Sequence, residues 1–393
     1  MRFRSSLLFF LIVIYSCSNI AAAHEIRVKL FSEVRENQFI LQVEAGEYEV
    51  RVNDNYYSTL KQGDRIVTLL YNNRVIVKAR NLDGISADSV VLKSGGDDSS
   101  FRLTGSTQSG KSRNYLGAVL FIPGAGGLNA INIVDVEDYL PAVVRAEAGP
   151  SGTPEFYKAQ TIIARTYCFR NIHKHSIDGY NLCDDVHCQV YHGISNDKMI
   201  LEAVAETEGI VITDNRGNPI ISAFHSNCGG ETVRSDWAWV TGETYLLPVT
   251  DPWCTSSRNA RWTKKIGLQD WKDYLYSKGL RADVMAPHDF VFRQPNRREN
   301  YQFAEFTLPL KQMRTDLGLK SAFFSVEVEG DAVTLNGKGY GHGVGLCQEG
   351  AIEMSRKGYT FDKILSFYYA NVVLTHIDNA VLPLPVESQR QPR

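Results

Sequence analysis

Thr153-Pro154-Glu155-Phe156-Tyr157-Lys158-Ala159-Gln160-Thr161-Ile162-Ile163-Ala164-Arg165-Thr166-Tyr167 is the stretch on which the fold class turns. Thr153 suits a helix N-cap and Pro154 its first turn. Phe156, Ala159, Ile163, Thr166 and Tyr167 recur at helical spacing, so the pattern predicts a helix ending near His173 to His175. Upstream the texture is different. Glu25 to Phe31, Phe39 to Val43, Glu49 to Val52, Arg65 to Tyr71, Arg74 to Lys78 and Val90 to Leu92 read as short β-branched strands. Polar loops at Ser94 to Ser100 and Ser106 to Asn114 close this region. Downstream, helices are expected at Asp197 to Glu208, Asp270 to Lys278, Lys311 to Leu317, Gln348 to Lys357 and Phe361 to Tyr369. Strands Ile210 to Thr213 and Pro219 to His225 flank the hairpin signal Asp214-Asn215-Arg216-Gly217. The class is α+β. The expected organisation is a β-rich accessory region over 24–114, a main domain over 115–376 and a loose Pro-rich tail over 377–393.

The chain has 393 residues, 44% hydrophobic and 22% charged, which is globular composition and excludes disorder as the main state. Arg2 and Arg4 precede the apolar run Leu7 to Tyr15, and Ala21, Ala22 and Ala23 follow before His24. A basic start, a short apolar stretch and an Ala-x-Ala site predict a secretory signal peptide over 1–23 and an exported, periplasmic or cell-envelope protein. Ile14-Tyr15-Ser16-Cys17 leaves a second reading open, a lipoprotein held to the membrane through Cys17. Of the 42 Lys and Arg, two lie in that peptide, leaving 40 against 44 Asp and Glu. That balance gives no general attraction to nucleic acid or to an anionic membrane.

Four further patterns carry chemistry. They are Glu137-Asp138-Tyr139-Leu140-Pro141-Ala142-Val143-Val144 running to Glu147, Lys158-Ala159-Gln160 running to Tyr167, His187-Cys188-Gln189-Val190-Tyr191-His192-Gly193, and Gly339-Tyr340-Gly341-His342-Gly343-Val344-Gly345 with Gln348. Between them lie Phe224-His225-Ser226-Asn227-Cys228-Gly229-Gly230-Glu231-Thr232 and Asp251-Pro252-Trp253. Val143, Val144, Ala146 and Ala148 give Glu147 an apolar sequence neighbourhood, in which desolvation favours a neutral carboxyl able to donate a proton. A Glu beside Arg145 is also what a solvated helix face looks like. The Gly-rich run lacks the Gly-Lys-Ser/Thr ending of a phosphate loop, so no nucleotide cofactor is expected. Ser226 and His225 lack a nucleophile elbow, which argues against a serine hydrolase.

In this order, over about residues 115–376, the set resembles the stage II sporulation protein D (SpoIID) family, whose domain is shared with the LytB amidase enhancers. The resemblance implies action on peptidoglycan glycan strands, several members being lytic transglycosylases that cut MurNAc–GlcNAc linkages. It places Glu147 where the family's catalytic Glu sits, although Ala148-Gly149-Pro150 departs from the family's usual continuation. Gln189, Tyr191, His225, Ser226, His342 and Gln348 become substrate-binding candidates in the cleft. A cell-wall amidase is the implied functional partner, and a non-catalytic glycan-binding enhancer of such an amidase is the alternative function.

Beyond Cys17 there are six cysteines: Cys168, Cys183, Cys188, Cys228, Cys254 and Cys347. Cys183, His187 and Cys188 have zinc-donor chemistry, with His175 as fourth ligand and His192 as the alternative. A Cys183–Cys188 disulfide is the competing reading for an exported chain. Cys228 with Cys254 is the first choice for a disulfide, leaving Cys168 and Cys347 as buried thiols.

Overall fold

Alternation of buried and exposed residues along Glu25–Leu30 and Gln38–Ala45 turns one side of each strand inward, and the first half of the chain folds accordingly into two facing sheets. The computed structural model describes residues 24–79, 82–96, 98–107, 111–239 and 241–385. The expected signal peptide and Cys17 lie outside them. One sheet has seven strands in the order Leu182–Cys183, Glu25–Leu30, Gly127–Asp135, Ala118–Gly124, Val90–Ser94, Glu47–Val52 and Asn55–Lys61. The other has six, Ser112–Leu116, Ser100–Gly105, Gln38–Ala45, Arg65–Tyr71, Arg74–Ala79 and Leu82–Ala87. Rings from the two sheets meet between them, Phe39 with Phe121 at 5.9 Å and Tyr48 with Phe101 at 5.9 Å.

The division expected at 114/115 falls inside this sandwich. Glu25–Leu30 pairs along its whole length with Gly127–Asp135, and Ser112–Leu116 pairs with Ser100–Gly105. The change in texture marks the passage from strand to helix around residue 135, while the core continues across it. Ser112–Leu116, whose first three residues fall in the expected loop Ser106 to Asn114, is an edge strand with only Tyr115 fully inward, which is why its start reads as polar.

Helix α1 (Val136–Ala148) starts directly from the last long strand, with Asp135 as N-cap accepting from the Glu137 N–H at 2.7 Å. It accommodates Pro141 in its interior and ends at Gly149, whose φ of 70° suits glycine. Helix α2 (Pro154–Arg170) follows and packs against α1. Thr153 occupies its N-cap position, although the Thr153 hydroxyl donates to Ser355 Oγ and does not cap the backbone. Arg165, wholly buried, ties the two helices. Its Nε and Nη2 meet Glu137 Oε1 and Oε2 at 2.7 and 2.6 Å, and its Nη1 reaches the Ile210 carbonyl at 3.0 Å.

The remaining helices are α3 (Lys198–Glu206), the short α4 (Ser235–Ala238), α5 (Leu268–Ser277), α6 (Leu310–Asp316), α7 (Gln348–Arg356) and α8 (Phe361–Tyr368). Helices α3, α7 and α8 pack around α2 and extend the first core. A second core was not anticipated. Arg261–Gly267, Ala332–Lys338 and Phe324–Glu329 form a three-stranded antiparallel sheet, and Trp262, Trp271, Leu275, Met313, Val326 and Leu335 are buried with α5 and α6 against it. The expected strand Pro219–His225 shrinks to Phe224–His225, because Ile220 bonds back to Ile212 and the chain then bends at Ile221–Ala223. The first residues of the expected loose tail are also fixed: Ile377 is buried, its N–H donates to Gly209, and the Val381 N–H donates to Gly217.

Candidate active site

Glu147 lies in the last turn of α1, where the helix leaves the core. Its carboxylate is half-buried, and Oε1 accepts the backbone N–H of Val190 at 3.1 Å. Among the described residues no Lys or Arg forms an ion pair with it. Burial raises its pKa above the ordinary carboxyl value, and the Val190 N–H offsets only part of that. Gln348, the first residue of α7, donates its side-chain amide to the Glu147 carbonyl at 3.0 Å. The Gly-rich segment and the end of α1 are therefore joined at this point. On the neighbouring surface, Ala142, Arg145 and Ala146 of α1 and the loop from His192 to Asp197 line an open groove of about 490 Å³. Another concavity, of about 840 Å³, is lined by Arg27, Lys93, Asp135 and Tyr180 among others and by none of the candidate residues.

Gln189 and Tyr191 do not sit where cleft residues would. Gln189 is buried; its carbonyl accepts from Cys168 Sγ at 3.1 Å and from the Tyr139 hydroxyl at 3.4 Å. Tyr191 is buried against Tyr139 at 4.6 Å, with its hydroxyl donating to Asn132 Oδ1 at 3.0 Å. Both polar ends are spent inside the fold. They brace the segment that presents the Val190 N–H to Glu147.

His225 is buried too. Its Nδ1 faces the Val344 carbonyl at 3.0 Å and so carries the proton, leaving a buried Nε2 with no partner among the described residues. His342 packs its ring 5.5 Å from His225 and accepts the Val344 N–H at Nδ1, 3.0 Å away. Burial, then the Arg314 charge, lowers its pKa to about 4, and burial drives that of His225 well below its usual value. Both rings are neutral at neutral pH. Gly345, between Val344 and the two-residue parallel strand Leu346–Cys347, has φ of 69°, and a Cβ there would stand 2.1 Å from the Ala223 carbonyl oxygen. Only glycine allows so close a strand approach.

Ser226 is half-buried and accepts from Asn259 Nδ2 at 3.3 Å. Beside it is a network that residue-type reasoning passed over. Glu349 accepts from Asn227 Nδ2 and from Asn259 Nδ2, each at 2.6 Å, and its N–H donates to the Ser226 carbonyl. Glu349 directly follows Gln348, and Asn227 stands inside the quoted Ser-Asn-Cys-Gly-Gly run, so adjacency was the available signal.

His175, Cys183, His187 and Cys188 converge, with one ligand atom from each within 4.8 Å of all the others. His175 Nε2 is 3.4 Å from Cys188 Sγ, and His187 Nδ1 is 3.5 Å from Cys183 Sγ. His175 Nδ1 faces Asp178 at 3.7 Å, the arrangement that leaves Nε2 free as a ligand. A hydrogen bond from the Cys183 thiol lowers the Cys188 pKa below that of an ordinary thiol. His192 lies outside the cluster, in the groove beside Glu147. Cys183 and Cys188 are free thiols, as are Cys228 and Cys254, which share a pocket with Cys347 and Asp251 and are not joined as a pair.

Comparison with known proteins bears on the family. The stage II sporulation protein (SpoIID) family pattern matches residues 124–213, which include α1, Glu147, α2 and the first Cys/His cluster. The stage II sporulation protein D of Bacillus subtilis is 30% identical over 270 residues, covering 63% of this chain and 77% of that protein. An uncharacterized protein of Brachyspira hyodysenteriae is 26% identical over 350 residues, 86% of this chain and 93% of that one. The amidase enhancer of B. subtilis is 27% identical over 291 residues, 60% of this chain and 40% of its own length. With its α+β fold, its ordered motifs and these relatives, the chain belongs to the SpoIID family, which includes the LytB-type amidase enhancers.

Proposed function

We propose that this protein is an exported peptidoglycan lytic transglycosylase that cuts MurNAc–GlcNAc bonds with Glu147 as its single general acid and base. The observation that carries the reading is the Glu147 carboxyl: half-buried, without a cationic partner among the described residues, raised in pKa by burial and held by one backbone N–H. Such a group is protonated over a wider pH range than a solvated Glu and can deliver its proton to the leaving O4 as the C1–O4 bond breaks. The resulting carboxylate then takes the proton of the same sugar's 6-hydroxyl as O6 bonds to C1, giving a 1,6-anhydro end and restoring the acid. No second carboxylate and no water enter this cycle, unlike ordinary glycoside hydrolysis. Gln348 fixes the backbone of the acid, and the groove between α1 and His192–Asp197, lined by Ala146 next to Glu147 in the chain, would take the sugar chain.

The first Cys/His cluster fits zinc by donor type and convergence: His175, Cys183, His187 and Cys188 would hold one ion. With four protein ligands, a bound ion would supply folding energy and would fix the segment that leads to Val190. A second reading has one observation in its favour, the similarity to a protein named an amidase enhancer. In that reading the chain holds glycan and stimulates an amidase without cutting.

Digestion of intact and amidase-stripped peptidoglycan with the purified chain, followed by mass spectrometry of the products, separates these readings. 1,6-Anhydro ends support the transglycosylase. Stimulation of an amidase without new glycan ends supports the enhancer.

A further inference from the structure

Cys228, Asp251, Cys254 and Cys347 come from three separate segments, and each is 0% exposed. One ligand atom from each lies within 4.8 Å of the others. Cys228 Sγ is 3.3 Å from Cys254 Sγ and 3.2 Å from Asp251 Oδ2. A tetrahedral zinc with Zn–S bonds of about 2.3 Å sets its sulfurs roughly 3.8 Å apart, so small side-chain adjustments would suffice. We propose that these four residues form a second, structural zinc site, chemically distinct from the Cys/His cluster beside Val190.

Two features favour a metal over a disulfide. The first is Asp251. It is fully buried, yet among the described residues its side chain forms no ion pair; its partners are the Tyr368 hydroxyl at 2.9 Å, the Trp253 N–H at 2.9 Å and the Cys228 thiol. A buried carboxylate with only neutral donors is costly, and a divalent ion bound to it removes that cost. The second is the odd sulfur. A Cys228–Cys254 bond would leave Cys347 as a third thiol in the same dry pocket, whereas one thiophilic ion engages all three.

The surroundings suit ligand support. The Cys228 N–H points at Cys347 Sγ from 3.3 Å, and Tyr368 and Trp253 fix the two carboxylate oxygens. Buried Arg297 donates to the Cys228 carbonyl at 2.7 Å and to the Glu231 carbonyl at 2.6 Å, placing a positive charge beside a site whose zinc complex is anionic. Gly350 makes room: a Cβ there would stand 2.4 Å from Asp251 Oδ2. Cys347 is the N-cap of α7 and precedes Gln348, while Cys228 lies three residues beyond His225. The ion would pin the Gly-rich turn and the start of α7 to the strand carrying His225, behind the Glu147 site.

The test counts zinc in the purified chain and in the C183S/C188S variant, which leaves this second cluster untouched. About two zinc ions per wild-type chain and about one in the variant are expected, one per closed site. A variant without stoichiometric zinc, or a Cys228–Cys254 disulfide mapped in the native protein, overturns the proposal. Should C183S/C188S fail to fold, cobalt reconstitution of the wild type decides. Two cobalt ions whose thiolate-to-metal absorption matches five sulfurs support the site, and a single ion with two sulfurs refutes it.

Discussion

Glu137→Ala strands the most deeply buried cation of the helical layer. The Arg165 side chain is 0% exposed and that of Glu137 is 28% exposed, and their bidentate pair is the main bond between the start of α1 and the middle of α2. Removing one partner of a buried pair costs about 3–5 kcal/mol, because the other charge stays buried and unpaired. The partial exposure of Glu137 lets water enter the vacated space, which places the expected loss near the lower end, about 3 kcal/mol. With a urea m-value of roughly 2–3 kcal/mol/M, the unfolding midpoint of the larger core falls by about 1–1.5 M. Arg165→Met is the control. It leaves a carboxylate that water reaches and fills the cavity with apolar atoms, so it loses less, about 1–2 kcal/mol, including the bond to the Ile210 carbonyl. Equilibrium urea unfolding followed by tryptophan fluorescence measures all three proteins. If Glu137→Ala lies within about 0.5 kcal/mol of wild type, or Arg165→Met is the more damaging change, the buried charge is not what makes this contact matter.

Three further predictions concern Glu147 and the first cluster. Because the folded-state pKa of Glu147 is raised, the folded chain binds more protons than the unfolded chain between the ordinary carboxyl pKa and the raised value. Stability therefore falls with rising pH across that window, and Glu147→Gln, which keeps an oxygen for the Val190 N–H, should melt higher than wild type at neutral pH; equal melting temperatures at acidic and neutral pH would contradict this. Cleavage, which needs the protonated carboxyl, should likewise decline as pH rises through the raised value, read from initial rates across a pH series. His175→Ala should lower zinc content and chelator resistance while His192→Ala leaves both unchanged, as metal analysis of the two variants will show.

What the sequence disclosed and what it hid follow from range. Helix α2 was legible because Thr153, Pro154 and the apolar spacing after them are local signals. Helix α1 was harder to read because Pro141, ordinarily a helix breaker, lies inside it, where the neighbouring residues are buried and the helix packs on α2. Asn55–Lys61 and Ser112–Leu116 escaped notice as edge strands with few inward residues. Glu147 and Gln348 were picked out by motif, but their contact spans 201 positions and only the fold creates it. Gln189 and Tyr191 were misplaced because polar residues in a motif look the same in sequence whether they face a ligand or Asn132. The Cys228–Cys347 juxtaposition depends on the parallel pairing of Phe224–His225 with Leu346–Cys347, a long-range event that cysteine spacing does not encode.

On the proposed mechanism, Glu147 donates and recovers the proton in glycan cleavage. The most direct test of that mechanism is mass spectrometry of amidase-stripped glycan strands after incubation with wild type and with Glu147→Gln. Wild type should give 1,6-anhydro ends and the variant about 100- to 10,000-fold fewer, with folding and glycan binding retained. Unreduced formation of those ends by Glu147→Gln, or none from the wild type, would contradict it.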